Sequence, residues 1–327
     1  MSPQSSTTEQ GRGGGLWPLL EAARPQHWIK NGFVAAPLLF SGRFTSLAAW
    51  AECLGAVAAF CLLSSSVYLI NDICDRNSDR AHPVKRRRPI ASGRLSVAAA
   101  AAASVVLALA GAGLVAIVTA WVYDPAQPLG GAALPVWTGL YIVLNLLYSF
   151  WLKKRAIVDV IIVAMGFVLR AMAGAAAIAV PVSPWLVVCT LTLCLFIALA
   201  KRRSELAELP AGQAGIARAA SRGYDSEMLE HMLTVSAALA ILTYSLYCLA
   251  PRTVDHVGSG HMVWTIPLVI YGTFRYYRAT RRAAGSDAVT LLVRDKVMWL
   301  VLAAYCMLCA VIIKFGSMAS VRDILDV

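Results

Sequence analysis

From about residue 28 onward the chain is built of long apolar runs separated by short polar connections. A run of about 18 to 25 residues matches the hydrocarbon thickness of a bilayer. Nine stretches meet or approach that length: 28–42, 47–71, 97–121, 133–152, 157–180, 184–201, 228–250, 262–277 and 296–315, the first and eighth being the shortest. They predict an all-α polytopic bundle of about nine transmembrane helices, a single domain over 24–327. Runs such as Ala98 to Gly113 are crowded with small residues, which let helix backbones approach in lipid and suit association of copies of the chain. Residues 1–23 differ. They are rich in Ser, Gly and Thr and lack a basic segment followed by an apolar one, so a flexible cytoplasmic tail is expected rather than a signal peptide. Leu16 to Leu20, around Trp17, suits an amphipathic turn at the interface.

Composition supports lipid as the solvent. The 327 residues are 59% hydrophobic and 14% charged, with mean hydropathy +0.66, too little polar surface for a water-soluble domain of this length. The net charge of +11 raises nucleic acid as a partner, but the placement of the bases answers it. Arg76, Arg80, Lys85, Arg86, Arg87, Arg88 and Arg94 follow the second run; Lys153, Lys154 and Arg155 follow the fourth. Lys201, Arg202, Arg203, Arg218 and Arg222 follow the sixth, and Arg275, Arg278, Arg281, Arg282, Arg294 and Lys296 surround the last connection. The opposite connections hold Arg43 and Arg252. The positive-inside rule then places the N-terminus and the basic loops in the cytoplasm, in a plasma membrane protein, and leaves no excess of charge for nucleic acid to explain. Nearly all of the eight cysteines sit in apolar runs, where they act as small hydrophobes, and the CxxC pair Cys306 and Cys309 has no second ligand pair to make a zinc site.

The candidate chemistry lies where the second run ends, in Tyr68-Leu-Ile-Asn71-Asp72-Ile-Cys-Asp75-Arg76-Asn-Ser-Asp79. At about 100° per residue, Asp72, Asp75 and Asp79 fall within roughly 60° of one another, and Tyr68 shares their face. Aligned carboxylates repel unless a positive group lies among them. A hard cation such as Mg²⁺, shared with substrate phosphates, meets that need. A solvated helix end with arginine partners meets it too. Asn71 and Asp72 continue a membrane span directly, where charge tends to mark function.

The run NDICDRNSD followed by HPVKRRRPIASG resembles the first signature of the UbiA superfamily of intramembrane prenyltransferases, an NDxxDxxxD helix end followed by an H-P-x-K-x-x-R-P-I-x-x-G loop. The resemblance implies a UbiA-like helical fold with a cytoplasm-facing site. It implies Mg²⁺ at Asn71, Asp72, Asp75 and Asp79, the three aspartates carrying the catalytic role, and diphosphate contacts from Lys85 and Arg88. Where most of the superfamily carries a second Asp-rich motif at the end of the sixth span, this chain reads Ala200-Lys201-Arg202-Arg203-Ser204-Glu205-Leu206. Basic residues replace carboxylates there, which favours further anionic groups on the substrates over a second metal cluster. Lys201 and Glu205, at i and i+4, suit a plain ion pair equally well.

Other segments, among them RPQHWIKN, YSFWLKKRAIVDV, FVLRAMAGA, ALAKRRSEL and SRGYD, resemble one branch of the superfamily, the decaprenyl-phosphate phosphoribosyltransferases of actinobacterial cell-wall synthesis. That resemblance implies transfer of the 5-phosphoribosyl group of 5-phosphoribosyl-1-diphosphate (PRPP) to a polyprenyl phosphate, giving decaprenylphosphoryl-5-phosphoribose for arabinan synthesis. Three anionic groups meet in that reaction, a load suited to one carboxylate cluster and many Lys and Arg. Lys201 and Arg202 are expected at the diphosphate, Glu205 beside them, and Asp159 at the ribose hydroxyls. Tyr148 and Tyr224 are candidate hydrogen-bond donors or interfacial anchors, and Lys30 either reaches a phosphate or snorkels. Arg155 joins the substrate-binding set from the basic connection after the fourth run, and Arg170 is expected to hold an acid of another span. The rival readings are a sibling that prenylates an aromatic acid in quinone synthesis and, from another class, a transporter with an intramembrane charged site.

Overall fold

The computed structural model describes residues 16–81, 84–123, 128–181, 183–207, 223–282 and 295–315. The described chain is helical. Its α-helices are α1 (Leu16–Ala23), α2 (Gly32–Phe40), α3 (Leu47–Cys74), α4 (Arg76–Ala81), α5 (Val97–Val122), α6 (Pro128–Phe150), α7 (Val158–Ala177), α8 (Pro184–Ala207), α9 (Ser226–Leu249), α10 (Pro251–Val257), α11 (Ile266–Arg282) and α12 (Lys296–Phe315). Seven of them, α3, α5, α6, α7, α8, α9 and α12, are long and apolar enough to cross a membrane. Apolar side chains such as Val105, Val106 and Leu109 lie exposed along α5, as lipid-facing residues do.

The expected count of nine is therefore not reached among the described residues. The first expected span is the 9-residue α2, preceded by a 3-10 helix over Pro25–Asn31 and followed by Gly42 in the left-handed region at φ +71°. The eighth is the 17-residue α11, whose C-terminal half carries four arginines. Of the residues expected as a tail, 1–23, only the last eight are described. They form α1, with Ala22 buried. Residues 1–15, His82 and Pro83 of the motif loop, and most of the 210–225 connection lie outside the described residues.

The chain divides into two compact units, where the sequence predicts one domain from residue 24. The first comprises the residues up to Trp28 together with Ala59–Gly113. Its core joins Ala22, Leu69, Ile90 and Ala100, so the motif loop is pinned through Ile90. α3 and α5 approach closely: Ser66 and Ser104 share a 2.9 Å hydrogen bond, and a Cβ at Gly111 would lie 2.7 Å from Leu63. Small residues permit such contact in lipid.

The second unit comprises Ile29–Ala58 and Leu114–Val327. Here α6, α7, α8 and α9 pack in chain order, and α2 packs on α7. That last contact is backbone to backbone. A Cβ at Gly174 of α7 would sit 1.9 Å from the carbonyl oxygen of Val34 in α2, so no other residue fits there without moving a helix. Beside it, the buried Arg170 donates to Asn31 Oδ1 at 3.0 Å, to the Tyr141 hydroxyl at 2.7 Å and to the Gly166 carbonyl at 3.2 Å. Its guanidinium also lies 4.6 Å from the Tyr141 ring centroid. The acid expected as its partner is replaced by an amide and a phenol; the planar fork and the aromatic face satisfy the cation instead.

Candidate active site

In the first unit α3 runs to Cys74, Asp75 forms a single turn residue, and α4 resumes at Arg76. The helical hydrogen bonds cross that turn, from Asp75 N–H to Asn71 O at 2.9 Å and from Asp79 N–H to Asp75 O at 2.8 Å. The register is thus kept, and Asp72 and Asp79 reach the same place. Arg88 Nη1 lies 3.2 Å from Asp72 Oδ1 and 2.7 Å from Asp79 Oδ2, so one nitrogen bridges both carboxylates. Arg24 Nη2 approaches Asp72 Oδ1 at 2.5 Å from the other side. Asp72 and Asp79 are 2% and 4% exposed, and buried carboxylates require such partners. Asn71 Oδ1 is buried beside them without a hydrogen-bond partner among the described residues.

Local chain geometry aims both arginines. Arg88 precedes Pro89 and is extended (φ −58°, ψ 145°), as a residue before proline prefers, while Ile90 anchors the following turn. Arg24 precedes Pro25 and sits at φ +55°, a costly conformation for a non-glycine residue. It is held there by its neighbours: Ser65 of α3 donates to the Ala23 carbonyl at 3.0 Å and accepts from Trp28 Nε1 at 3.0 Å. The Arg24 guanidinium lies 5.4 Å from the Tyr68 ring centroid, and His27 meets the same ring edge-on.

In the second unit a further cluster forms around Asp159 in the first turn of α7, which is fully buried. Arg202 Nε of α8 lies 2.7 Å from Asp159 Oδ2, and the Tyr224 hydroxyl donates to Asp159 Oδ1 at 2.7 Å. Arg202 also pairs with Glu205 and donates to the Tyr148 hydroxyl at 3.1 Å. Lys201 stands 3.8 Å from Glu205. The Tyr224 hydroxyl in turn accepts from the backbone N–H of Ile157 at 2.6 Å, and Ile157 is held at φ +67°. Burial, and then donation to Asp159, pushes the Tyr224 phenol above its ordinary range.

Most of the expected residues are thus collected into two groups: Asn71, Asp72, Asp79 and Arg88, with Tyr68 beside Arg24, and Tyr148, Asp159, Lys201, Arg202, Glu205 and Tyr224. Asp75 occupies the turn between α3 and α4, Lys85 opens the 3-10 helix Lys85–Arg87, and Lys30 lies partly buried near the end of the 3-10 helix Pro25–Asn31. The side chain of Arg155 is exposed, while its carbonyl accepts from Asp159 N–H at 3.1 Å. Sequence reasoning missed Arg24, although the segment RPQHWIKN that contains it was already singled out; an arginine directly before a proline was the available signal.

Comparison with known proteins identifies the family and the fold. Residues 33–303 match the UbiA prenyltransferase family. Decaprenyl-phosphate phosphoribosyltransferase of Mycolicibacterium smegmatis is 32% identical over 300 residues, spanning 88% of this chain and 89% of that protein. The Mycobacterium tuberculosis protein of the same name is 31% identical over 302 residues, spanning 91% and 95%. The fold is shared with the structure of a UbiA homolog from Archaeoglobus fulgidus bound to DMAPP and Mg²⁺, with TM-score 0.62 and 16% identity over 91% of this chain and 99% of that one. On the motif, the helical architecture and the extent of these matches, the chain belongs to the UbiA prenyltransferase family.

Proposed function

We propose that the chain transfers the 5-phosphoribosyl group of PRPP to decaprenyl phosphate, releasing pyrophosphate and forming decaprenylphosphoryl-5-phosphoribose. The observation that carries this reading is the end of α8, where Arg202 lies against Asp159, Glu205 and Tyr148. A cationic helix end suits a reaction between several phosphates better than a neutral aromatic acceptor. The length and identity of the matches to phosphoribosyltransferases support it further.

The bond that breaks joins the anomeric carbon of ribose to pyrophosphate, and the bond that forms joins that carbon to a lipid phosphate oxygen. The acceptor phosphate is already ionised near neutral pH, so the reaction needs no strong base. Attack opposite the leaving group inverts the anomeric centre. In the first unit Arg88 and Lys85 take up negative charge of the diphosphate, and Arg88 and Arg24 keep the carboxylates in place. In the second, Lys201 and Arg202 are the cations offered to substrate phosphates. Asp159 accepts from the ribose hydroxyls, with Tyr224 fixing its orientation. Tyr148, Glu205, Lys30, Arg155 and Tyr68 complete the substrate-binding set.

The residues at the end of α3 fit a magnesium ion. Asp72, Asp75, Asp79 and Asn71, whose Oδ1 has no partner among the described residues, all present hard oxygen donors. Among the described residues no three His, Cys, Asp or Glu side chains come together as a group that could hold a metal ion, so the ion would depend on one or two carboxylates together with substrate phosphates, as magnesium commonly does. Bound there, it supplies charge neutralisation to the departing pyrophosphate. The site faces the cytoplasm, on the side of the basic connections.

The test is a membrane assay offering labelled PRPP with decaprenyl phosphate and, in parallel, prenyl diphosphate with 4-hydroxybenzoate. Label is expected in the lipid in the first arm alone, and lost in Asp75→Ala or in excess EDTA. Prenylation of the aromatic acid without use of PRPP overturns the reading.

A further inference from the structure

In the second unit α9 and α11 run antiparallel. Tyr277 donates to Glu230 at 2.7 Å near one end, and Tyr244 meets Thr265, just before α11, at 2.5 Å near the other. Between them lies a groove of about 510 Å³, walled by Ala238, Ile241 and Leu242 of α9 and by Phe274 and Tyr277 of α11. Three hydroxyls line or border it, and each is spent elsewhere. Thr234 donates to the Glu230 carbonyl at 3.0 Å, Ser245 to the Ile241 carbonyl at 2.9 Å, and Tyr277 to the Glu230 carboxylate. What the groove offers an occupant is therefore hydrocarbon.

The Tyr277 end carries charge. Arg203 pairs with Glu230 and extends to the Thr280 carbonyl at 3.4 Å, and the Arg281 guanidinium lies 5.9 Å from the Tyr277 ring centroid. Two guanidinium groups around one carboxylate leave that end net positive, and Arg281 and Arg278 are exposed. An apolar slot ending in excess cation is complementary to an amphiphile with an anionic head. Its length narrows the choice. Thr234 to Ser245 spans about 16 Å of helix, close to one leaflet of a hydrocarbon core of about 30 Å. One acyl chain fills that; a decaprenyl chain is far too long.

We propose that this groove holds one chain of an anionic phospholipid of the bilayer, with its phosphate at Arg281. The groove's lining shares no residue with either polar cluster, and its occupant takes no part in the transfer reaction.

The test is native mass spectrometry of the purified full chain after exchange in vesicles of equimolar phosphatidylglycerol and phosphatidylcholine. Wild type is expected to retain one phosphatidylglycerol in preference to phosphatidylcholine. Arg281→Ala is expected to lower that preference about fivefold, the worth of one arginine at a membrane surface. Ala238→Trp, which fills the slot, is expected to remove the retained lipid while helicity and elution stay as in wild type. Leu242→Trp, one turn along the same wall, gives the same reading if Ala238→Trp aggregates. Equal retention of the two lipids, phosphatidylglycerol retained by both tryptophan variants, its displacement by equimolar decaprenyl phosphate, or a protein dimer without bound phospholipid would each overturn the proposal.

Discussion

At the end of α3 two buried carboxylates, Asp72 and Asp79, are held by Arg24 and Arg88; at the end of α8 the guanidinium of Arg202 is held by Asp159, Glu205 and the Tyr148 hydroxyl. The two helix ends use the same groups with the roles exchanged. They differ in which partner meets solvent. At α3 the acids are hidden and Arg88 keeps 27% side-chain exposure, so an arriving anion can share that arginine. At α8 the Asp159 side chain is fully hidden and Arg202 is 11% exposed, so this pair is the more tightly held and offers an arriving substrate less of its charge, with Glu205 exposed at 44%. A buried charge is costly to leave alone, whereas an exposed one is cheaply re-partnered.

Substitutions can break or sharpen that contrast. The largest effect is expected from Asp72→Ala, which strips the α3 end of one of its two hidden charges; phosphoribosyl transfer should fall about 1,000-fold, the scale of losing a positioned electrostatic group. A fall of only a few-fold in the PRPP assay would make the α3 carboxylates structural. Next comes Asp159→Asn. Arg202 then keeps Glu205 but loses its buried counter-charge, and stability should drop by about 3 kcal/mol, read as a lowered melting temperature in detergent.

Tyr224→Phe removes one donor and one acceptor from the same neighbourhood, at a cost of about 1–3 kcal/mol. It also carries a pH signature. The folded state favours the protonated phenol, so the contribution of Tyr224 is complete below the ordinary tyrosine range near pH ~10 and is lost above it. Melting curves of wild type and Tyr224→Phe should therefore converge on the alkaline side of that value. The smallest effect is expected from Lys201→Met, because the 3.8 Å contact to Glu205 is exposed on both sides. A stability change under about 1 kcal/mol is expected, with transfer reduced through the share of Lys201 in substrate binding; unchanged transfer would remove Lys201 from the substrate site.

The features that lipid and helical periodicity control were legible beforehand. Runs such as that of α3 declare themselves because a spanning segment has to be apolar throughout, and Asp72 and Asp79 share a partner because their spacing puts them on one face. The length of α2 was hidden, since an apolar stretch reads alike whether it winds as one helix or as a 3-10 turn followed by a short one. The pairing of Arg24 with Asp72 across 48 residues leaves no periodic trace. Nor does the left-handed backbone of Ile157, which tertiary contact with Tyr224 holds in place. Arg170 was recognised as buried and structural, but hydropathy does not reveal that neutral groups satisfy it.

The close approach at Gly174 has a consequence for how the shortest of the expected spans is placed. A helix of 9 residues has little apolar surface with which to specify its own position. Here the position is encoded by a missing methyl group on its neighbour. A chain that acquired even alanine at that point would have to lift α2, and with it Asn31, away from the guanidinium that Asn31 helps to hold. One atom's worth of empty space thus stands in for an entire recognition surface.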